Sequence, residues 1–268
     1  MSVSRRDVIK GGGAMLLGLM GAGSVVKPGK LFGAGDAQEK SSLELPWPYK
    51  RLNPEAAAEA GYYGYYAGAC CYGAFDSIIG ELRKEVGHPY TVIPTAMMVY
   101  GEGGVASEGA LCGALNGAAA AIFLVTGGLD KKSREPAFAL IQELYKWYEQ
   151  EGLPDYRPKK PKFDIVKSVS RSTLCHVSVS RWCKTSKFKA FSNQRSERCG
   201  WLTASVAKRT VELLNSYAEK TFKPAHAIAA EAQSCRQCHD QGGAIENTRG
   251  MMDCGGCHFT PRSKHPKI

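Results

Sequence analysis

The sequence predicts an all-α fold, a helical domain that ends in a loop-rich C-terminal segment. Three observations carry this. Apolar residues recur at helical spacing in several windows. β-Branched alternation is confined to residues 166–179. The last part of the chain has few large apolar side chains and many Gly and Cys. With 268 residues and 44% hydrophobic content the chain can bury a core, and disorder is not the default. Its organisation reads as three parts, residues 1–37, 38–220 and 221–268.

Residues 1–37 read as an export address rather than as fold. Arg5 and Arg6 precede a mild apolar run, residues 11–26, rich in Gly, Ala, Leu and Met. This has the character of a twin-arginine signal peptide, with Val8 where Phe is usual. Cleavage near Ala34 or Ala37 places the mature protein in the periplasm, an oxidising compartment. The formal charge of +10 then falls to +7, with 30 Lys/Arg against 23 Asp/Glu. Part of the excess lies in residues 156–167 (YRPKKPKFDIVK). That run reads as a solvated linker rather than a nucleic-acid patch.

The helical elements follow in order. Residues 41–51 form an extended lead-in. Asn53 and Pro54 suit a helix start. An Ala/Gly/Tyr-rich helix runs from there through Cys70 and Cys71 to Arg83, with a break expected near Gly73. Residues 87–95 are loop. Residues 107–125 read as a buried helix in which Gly109, Gly113 and Gly117 recur every four residues, as do Ala110, Ala114 and Ala118. That small-residue face lets another backbone or a bulky cofactor come close. Glu108 and Asn116 interrupt the run, and Gly and Ala add little transfer energy, so it does not read as a membrane span. Ser133 is the expected cap of the next helix, with Phe138, Ile141, Leu144, Tyr145 and Tyr148 on its apolar face and residues 152–154 ending it. Cys199 is expected to open a further helix that turns Leu202, Val206, Leu213 and Tyr217 to the core.

The C-terminal segment carries the chemistry. Cys235-Arg236-Gln237-Cys238-His239 and Cys254-Gly255-Gly256-Cys257-His258 both fit Cys-x-x-Cys-His, the attachment pattern of haem c. Two thiols add to the two vinyl groups of the porphyrin, and the following histidine is then held where its ring reaches the iron. The same four cysteines satisfy a zinc-ribbon spacing, since fifteen residues separate Cys238 from Cys254. Four-thiolate zinc needs neither histidine, however. Histidine is 6 of 268 residues, so its recurrence directly after both pairs favours two haems c.

A sixth ligand on each iron would close it for electron transfer. The other histidines, His88, His176, His226 and His265, are the distal candidates, and Met251 and Met252 lie near the motifs. If the interval from His226 to His239 is helical it spans about 20 Å. His226 then suits the second haem, or a haem of a partner subunit.

Cys70, Cys71, Cys112, Cys175, Cys183 and Cys199 lie outside the haem segment. They suit either disulfides or four thiolates around an iron–sulfur cluster. The twin-arginine route exports proteins already folded around a cofactor. It therefore favours the cluster, because haem c is attached after export.

Four stretches bear a resemblance: GACCYGAF (68–75), LCGALNGAAAAI (111–122), LCHVSVSRWCK (174–184) and ERCGWLTASVAKRTVELLN (197–215). They are similar to a redox family marked by Cys…Cys-Gly-Ala-x-x-Gly…Cys…Cys. With the two Cys-x-x-Cys-His motifs, the chain resembles the split-Soret cytochrome c family over nearly all of its length beyond residue 37. The resemblance implies a mostly helical homodimer. It implies two bis-histidine haems per subunit, stacked nearly in contact, each taking one axial histidine from the other subunit. It also implies a non-haem centre of [2Fe–2S] type. Carried over by residue, it makes Cys235, Cys238, Cys254 and Cys257 the thioether sites and His239 and His258 the proximal ligands. Cys112, in Cys-Gly-Ala-Leu-Asn-Gly, matches the most distinctive cluster motif, and Cys199 matches the last cysteine. The third position stays open between Cys175 and Cys183, and the first between Cys70 and Cys71.

The expected protein is therefore a periplasmic electron carrier with no membrane span and no nucleic-acid partner. Its basic surface would steer anionic redox proteins. No group needs to act on a substrate. A multihaem reductase of a small oxyanion such as nitrite is the first alternative, and a zinc or disulfide structural protein the second.

Overall fold

Asn53 sets the first helix in place. Its side-chain oxygen accepts the Glu55 and Ala56 N–H groups at 2.9 and 3.3 Å, and Pro54 takes the first helical position. The structure, a computed structural model, describes residues 43–256 and 258. The export address, Cys257 and His265 lie outside the described residues.

Helix α1 (Pro54–Glu85) is not straight. Gly68 (φ −154°) and Ala69 (φ 64°) leave the helical region. The break falls here and not at Gly73. In a straight helix residues 64 and 73 stand about 13.5 Å apart. In this chain a Cβ on Gly64 would lie 2.8 Å from the Gly73 Cα, and one on Gly73 would lie 2.6 Å from the Tyr65 nitrogen. The two halves of α1 therefore close on each other in a V, and Gly73 is where they touch.

Helix α2 (Gly113–Thr126) starts later than its composition suggests. Residues 107–112 are irregular. The small-residue face is real from Gly113 onward and receives α1. A Cβ on Gly117 would stand 2.2 Å from the Cys71 carbonyl oxygen. Gly117→Ala is thus expected to force the two helices apart at a cost of about 1–3 kcal/mol. A denaturant midpoint unchanged from the parent would contradict this contact.

Helix α3 (Glu135–Gln150) is preceded by a turn that Asp130, not Ser133, caps. The Asp130 carboxylate accepts the Lys132 and Ser133 N–H groups, both at 3.0 Å. Leu140, Leu144 and Tyr148 are fully buried, whereas Phe138 is 46% exposed and outside the core. Strands β1 (Gly152–Leu153) and β2 (Ser168–Val169) pair antiparallel. Of the rest of the β-branched stretch, residues 170–173 are irregular and residues 175–179 begin α4 (Cys175–Ser186).

Helix α5 (Asn193–Ala218) opens at Ser192, whose hydroxyl accepts the Arg195 N–H, so Cys199 lies in its second turn and does not open it. Tyr217 is partly exposed. Helices α1, α2, α3 and α5 pack together around Ile78, Leu82, Leu115, Ile122, Val206 and Leu214. The C-terminal segment holds one helix among its loops, α6 (Ala230–His239). Among the described residues the chain is mostly helical, as predicted, and no helix is long and apolar enough to cross a membrane.

Candidate functional site

A short backbone crossing builds the first site. Leu111 and Leu174 form an antiparallel bridge. The Cys112 N–H donates to the Thr173 carbonyl at 2.9 Å, and the Cys175 N–H to the Ala110 carbonyl at 2.7 Å. Cys112 caps α2 and Cys175 is the first residue of α4. Both thiols therefore stand at positive helix ends. Cys70 follows directly on the break in α1, and Cys199 faces in from α5.

These four thiols interact with one another without exception: Cys70 with Cys112, Cys175 and Cys199, and each of the latter three with the other two. Cys71 and Cys183 do not share this arrangement. Cys71 is buried against α2 and couples to Cys112 alone. Cys183 meets Arg198 and Arg195 and, among the thiols, Cys199 alone. None of the described cysteines is joined in a disulfide. Burial pushes the Cys70 thiol well up and the Cys175 thiol up to about 12. A metal held by these thiols must displace their protons.

The loop over the thiols has unusual backbone. Residues 103–107 all have positive φ, from 49° to 78°. Gly103 and Gly104 adopt this freely, but Val105 at 67° is strained, as backbone at functional sites often is. The strain positions donors and space. The Gly103 N–H faces the Cys70 thiol, and a Cβ on Gly104 would lie 2.7 Å from the Cys175 Cβ.

Arg198 completes the site. It is 2% exposed. Its Nη2 donates to Ser178 Oγ at 2.8 Å, and its Nη1 faces Cys199 Sγ at 3.9 Å. Its Nε is buried with no hydrogen-bond partner. The Tyr148 hydroxyl reaches both Ser178 Oγ, at 2.8 Å, and the Cys112 thiol. Four thiols, two helix N-termini and an orphaned guanidinium N–H fit an anionic, thiolate-held group. Among the described residues no three His, Cys, Asp or Glu side chains converge closely enough for one metal ion.

The haem motifs form the second site. Cys235 and Cys238 lie one turn apart on α6, and both are exposed. Cys254 opens a short 3₁₀ turn, Cys254–Gly256, and its thiol lies within hydrogen-bonding reach of Cys235. The His258 N–H donates to the Cys254 carbonyl at 2.9 Å. Both motifs line one cavity of about 1010 Å³, together with Asn247, Arg249 and Met252. The Nδ1 of His239 bonds to the Asn247 carbonyl oxygen at 2.8 Å. That bond fixes the orientation of the ring.

The segment is tied to the helical body through Asp253. Its carboxylate meets Arg171 Nε at 3.1 Å, and its N–H donates to Glu149 Oε1 at 3.2 Å. Arg171 also pairs with Glu231 of α6. Burial, with the neighbouring Asp253 charge, pushes Glu149 up from 4.5 to about 7. Between those values the folded chain holds a proton that the unfolded chain gives up. Stability therefore falls as pH rises through that window, by at most on the order of 3 kcal/mol, and stays lower above it. Glu149→Gln is expected to flatten this slope and raise the melting temperature at pH 8. Parallel melting curves for parent and variant at pH 5 and 8 would contradict it.

The remaining histidines are placed as follows. Both ring nitrogens of His226 face carboxylates, Nδ1 at 2.7 Å from Glu143 and Nε2 at 3.3 Å from Glu151. Glu143 is buried, which works to raise its pKa, but bonds from the His226 side chain and from the His226 and Ala225 N–H groups win and hold it low. His176 Nδ1 meets the Gly109 carbonyl at 3.1 Å. His88 precedes a cis peptide bond to Pro89. None of the three lines the haem-motif cavity. Sequence reasoning missed Arg198, Tyr148, Glu143 and Glu149. For Glu143 a signal existed, an acidic residue on the apolar face of α3 beside Leu140 and Leu144.

Residues 72–213 match the family described as "Putative redox-active protein (C_GCAxxG_C_C)". The chain is 38% identical over 275 aligned residues to the split-Soret cytochrome c of Desulfovibrio desulfuricans, across 96% of this chain and 95% of that protein. The chain belongs to the split-Soret cytochrome c family. A solved split-Soret cytochrome c from the same organism, described as having a novel iron centre, superposes with a TM-score of 0.73 at 37% identity, over 82% of this chain and 93% of that one. The expected fold class is thus the split-Soret fold, and membership supports an electron-transferring cytochrome role.

Proposed function

We propose that this split-Soret cytochrome is a periplasmic electron carrier with two haems c and a four-thiol iron–sulfur centre. One observation carries the reading: both Cys-x-x-Cys-His motifs open on a single cavity of about 1010 Å³, with Cys235 and Cys254 face to face. Two porphyrins anchored there would lie side by side. A histidine directly after each cysteine pair, which four-thiolate zinc does not need, supports haem over a zinc ribbon.

The chain's part in the function is placement. Cys235, Cys238, Cys254 and Cys257 would anchor the porphyrins, and His239 and His258 would hold their irons. Asn247 orients the His239 ring. Arg171 and Asp253 fix the second motif to the helical body. Cys70, Cys112, Cys175 and Cys199 would hold the iron–sulfur centre, of [2Fe–2S] type, and Cys71 and Cys183 stand outside it. The haems and the thiol-held iron supply one-electron chemistry. The segment 171–173 links the two sites. Thr173 accepts the Cys112 N–H through its carbonyl and donates through its hydroxyl to Met252 Sδ at 3.1 Å. His226 is engaged by Glu143 and Glu151 within its own chain. A distal ligand supplied by a second copy in a homodimer agrees with that. The basic balance suits anionic redox proteins as partners.

Spectroscopy of the anaerobically purified protein tests the proposal. The expected result is low-spin haem, unmoved by nitrite or cyanide, with a divided Soret band on reduction. A high-spin ferric signal that shifts on adding nitrite would overturn it in favour of a reductase.

A further inference from the structure

Arg198 is a buried cation whose hydrogen bonds go to a serine hydroxyl and toward a thiol, and none to a carboxylate. An unpaired charge at that depth is costly unless a negative group stands beside it. Arg195, one turn earlier on α5, also faces Cys199. Cys199, which the Arg198 Nη1 faces, belongs to the four-thiol set with Cys70, Cys112 and Cys175. An anionic, thiolate-held group at those four positions would give the guanidinium the negative partner that its hydrogen bonds to Ser178 and toward Cys199 do not supply. The Arg198 Nε is a buried donor with no acceptor among the described residues. Ser178 and Tyr148 fix the fork from behind: Arg198 Nη2 and the Tyr148 hydroxyl both donate to Ser178 Oγ at 2.8 Å.

We propose that Arg198 is the built-in counter-charge of the four-thiol centre, a positioning residue that sets its reduction potential and favours its assembly. The inference rests on the reading that these thiols hold iron. When an electron passes from a ferrous haem to the thiol-held iron, the haem becomes ferric and the thiol site gains one negative charge. Arg198 keeps its proton throughout. A fixed guanidinium at the site stabilises the added charge and so raises the potential.

The test uses the full protein with its haems, comparing Arg198→Met and Arg198→Lys with the parent. Non-haem iron is measured chemically, and the potential of the non-haem centre is measured by EPR-monitored titration. The haem spectrum reports folding. Arg198→Met is expected to make reduction of the non-haem centre at least tenfold less favourable, at least 59 mV lower for one electron, with the haem spectrum unchanged. Arg198→Lys restores most of that shift. Retention of iron by Arg198→Lys with its loss from Arg198→Met also supports the proposal. An unchanged potential in Arg198→Met overturns it, as does equal loss of iron from both variants, which would mark a packing role. A parent protein with no non-haem iron would sink the four-thiol reading itself, and this inference with it.

Discussion

Cys112→Ser is expected to remove most of the non-haem iron while leaving both haems in place. Cys112 occupies the centre of the thiol site. Its N–H is fixed by Thr173, its position caps α2, and its thiol meets Cys70, Cys175 and Cys199. Serine is close in size, so the fold is kept, but a hydroxyl is a poor iron ligand beside thiolates. The same substitution at Cys183, which among the thiols meets Cys199 alone, should leave the iron content close to that of the parent. Colorimetric iron and EPR on the two variants check the contrast. Equal loss at both positions, or at neither, would mean that the four thiols singled out by their mutual contacts are not the ligands.

The double variant Cys235→Ala/Cys238→Ala is expected to cost one of two covalent haems outright. Both thiols lie on one face of α6, one turn apart, as two thioether bonds to one porphyrin require. With neither thiol present, acid-acetone extraction should release any haem from that motif, and the haemochrome absorbance that stays with the polypeptide should fall to half. The second haem depends on Cys254, which Asp253, Arg171 and Glu149 anchor separately, and it should persist. Loss of all covalent haem would show that the two haems fold as one unit through the Cys235–Cys254 contact.

The haem motifs were legible in the sequence because their chemistry is local. Two vinyl groups and one iron fix the spacing of three residues along the chain, whatever surrounds them. The thiol site is assembled from four separate stretches, and its membership depends on backbone events that no local pattern announces. Cys70 and Cys71 are neighbours in sequence, yet on a helix successive side chains point about 100° apart. Which one faces the other thiols is set by the break at Gly68 and Ala69. Composition placed that break at Gly73, because a glycine at a close contact and a glycine at a bend look alike. Cys175 and Cys183 differ by two turns of α4, about 12 Å along the axis. The Leu111–Leu174 bridge brings only the first beside Cys112. That bridge lies where alternation of β-branched residues suggested a longer strand, and the helix begins instead at the residue the site needs.

Arg198 was hidden for a related reason. Beside Cys199 in a polar helix start it reads as a surface charge, and only the packing of α4 and α3 over it makes it a buried one. Glu149 and Glu143 likewise face inward on α3, where each receives a backbone N–H from the C-terminal part of the chain. The helical core was therefore readable as a pattern. The polar contacts that join it to the haem segment were not, since those named pair residues sixty or more positions apart.

An iron inventory per chain tests the central claim most directly, on protein matured in a host that makes cytochromes c and purified without oxygen. The account predicts two haems that stay with the polypeptide through acid-acetone, a further acid-labile iron fraction, and no zinc. A colourless chain carrying zinc, or no metal at all, would contradict it.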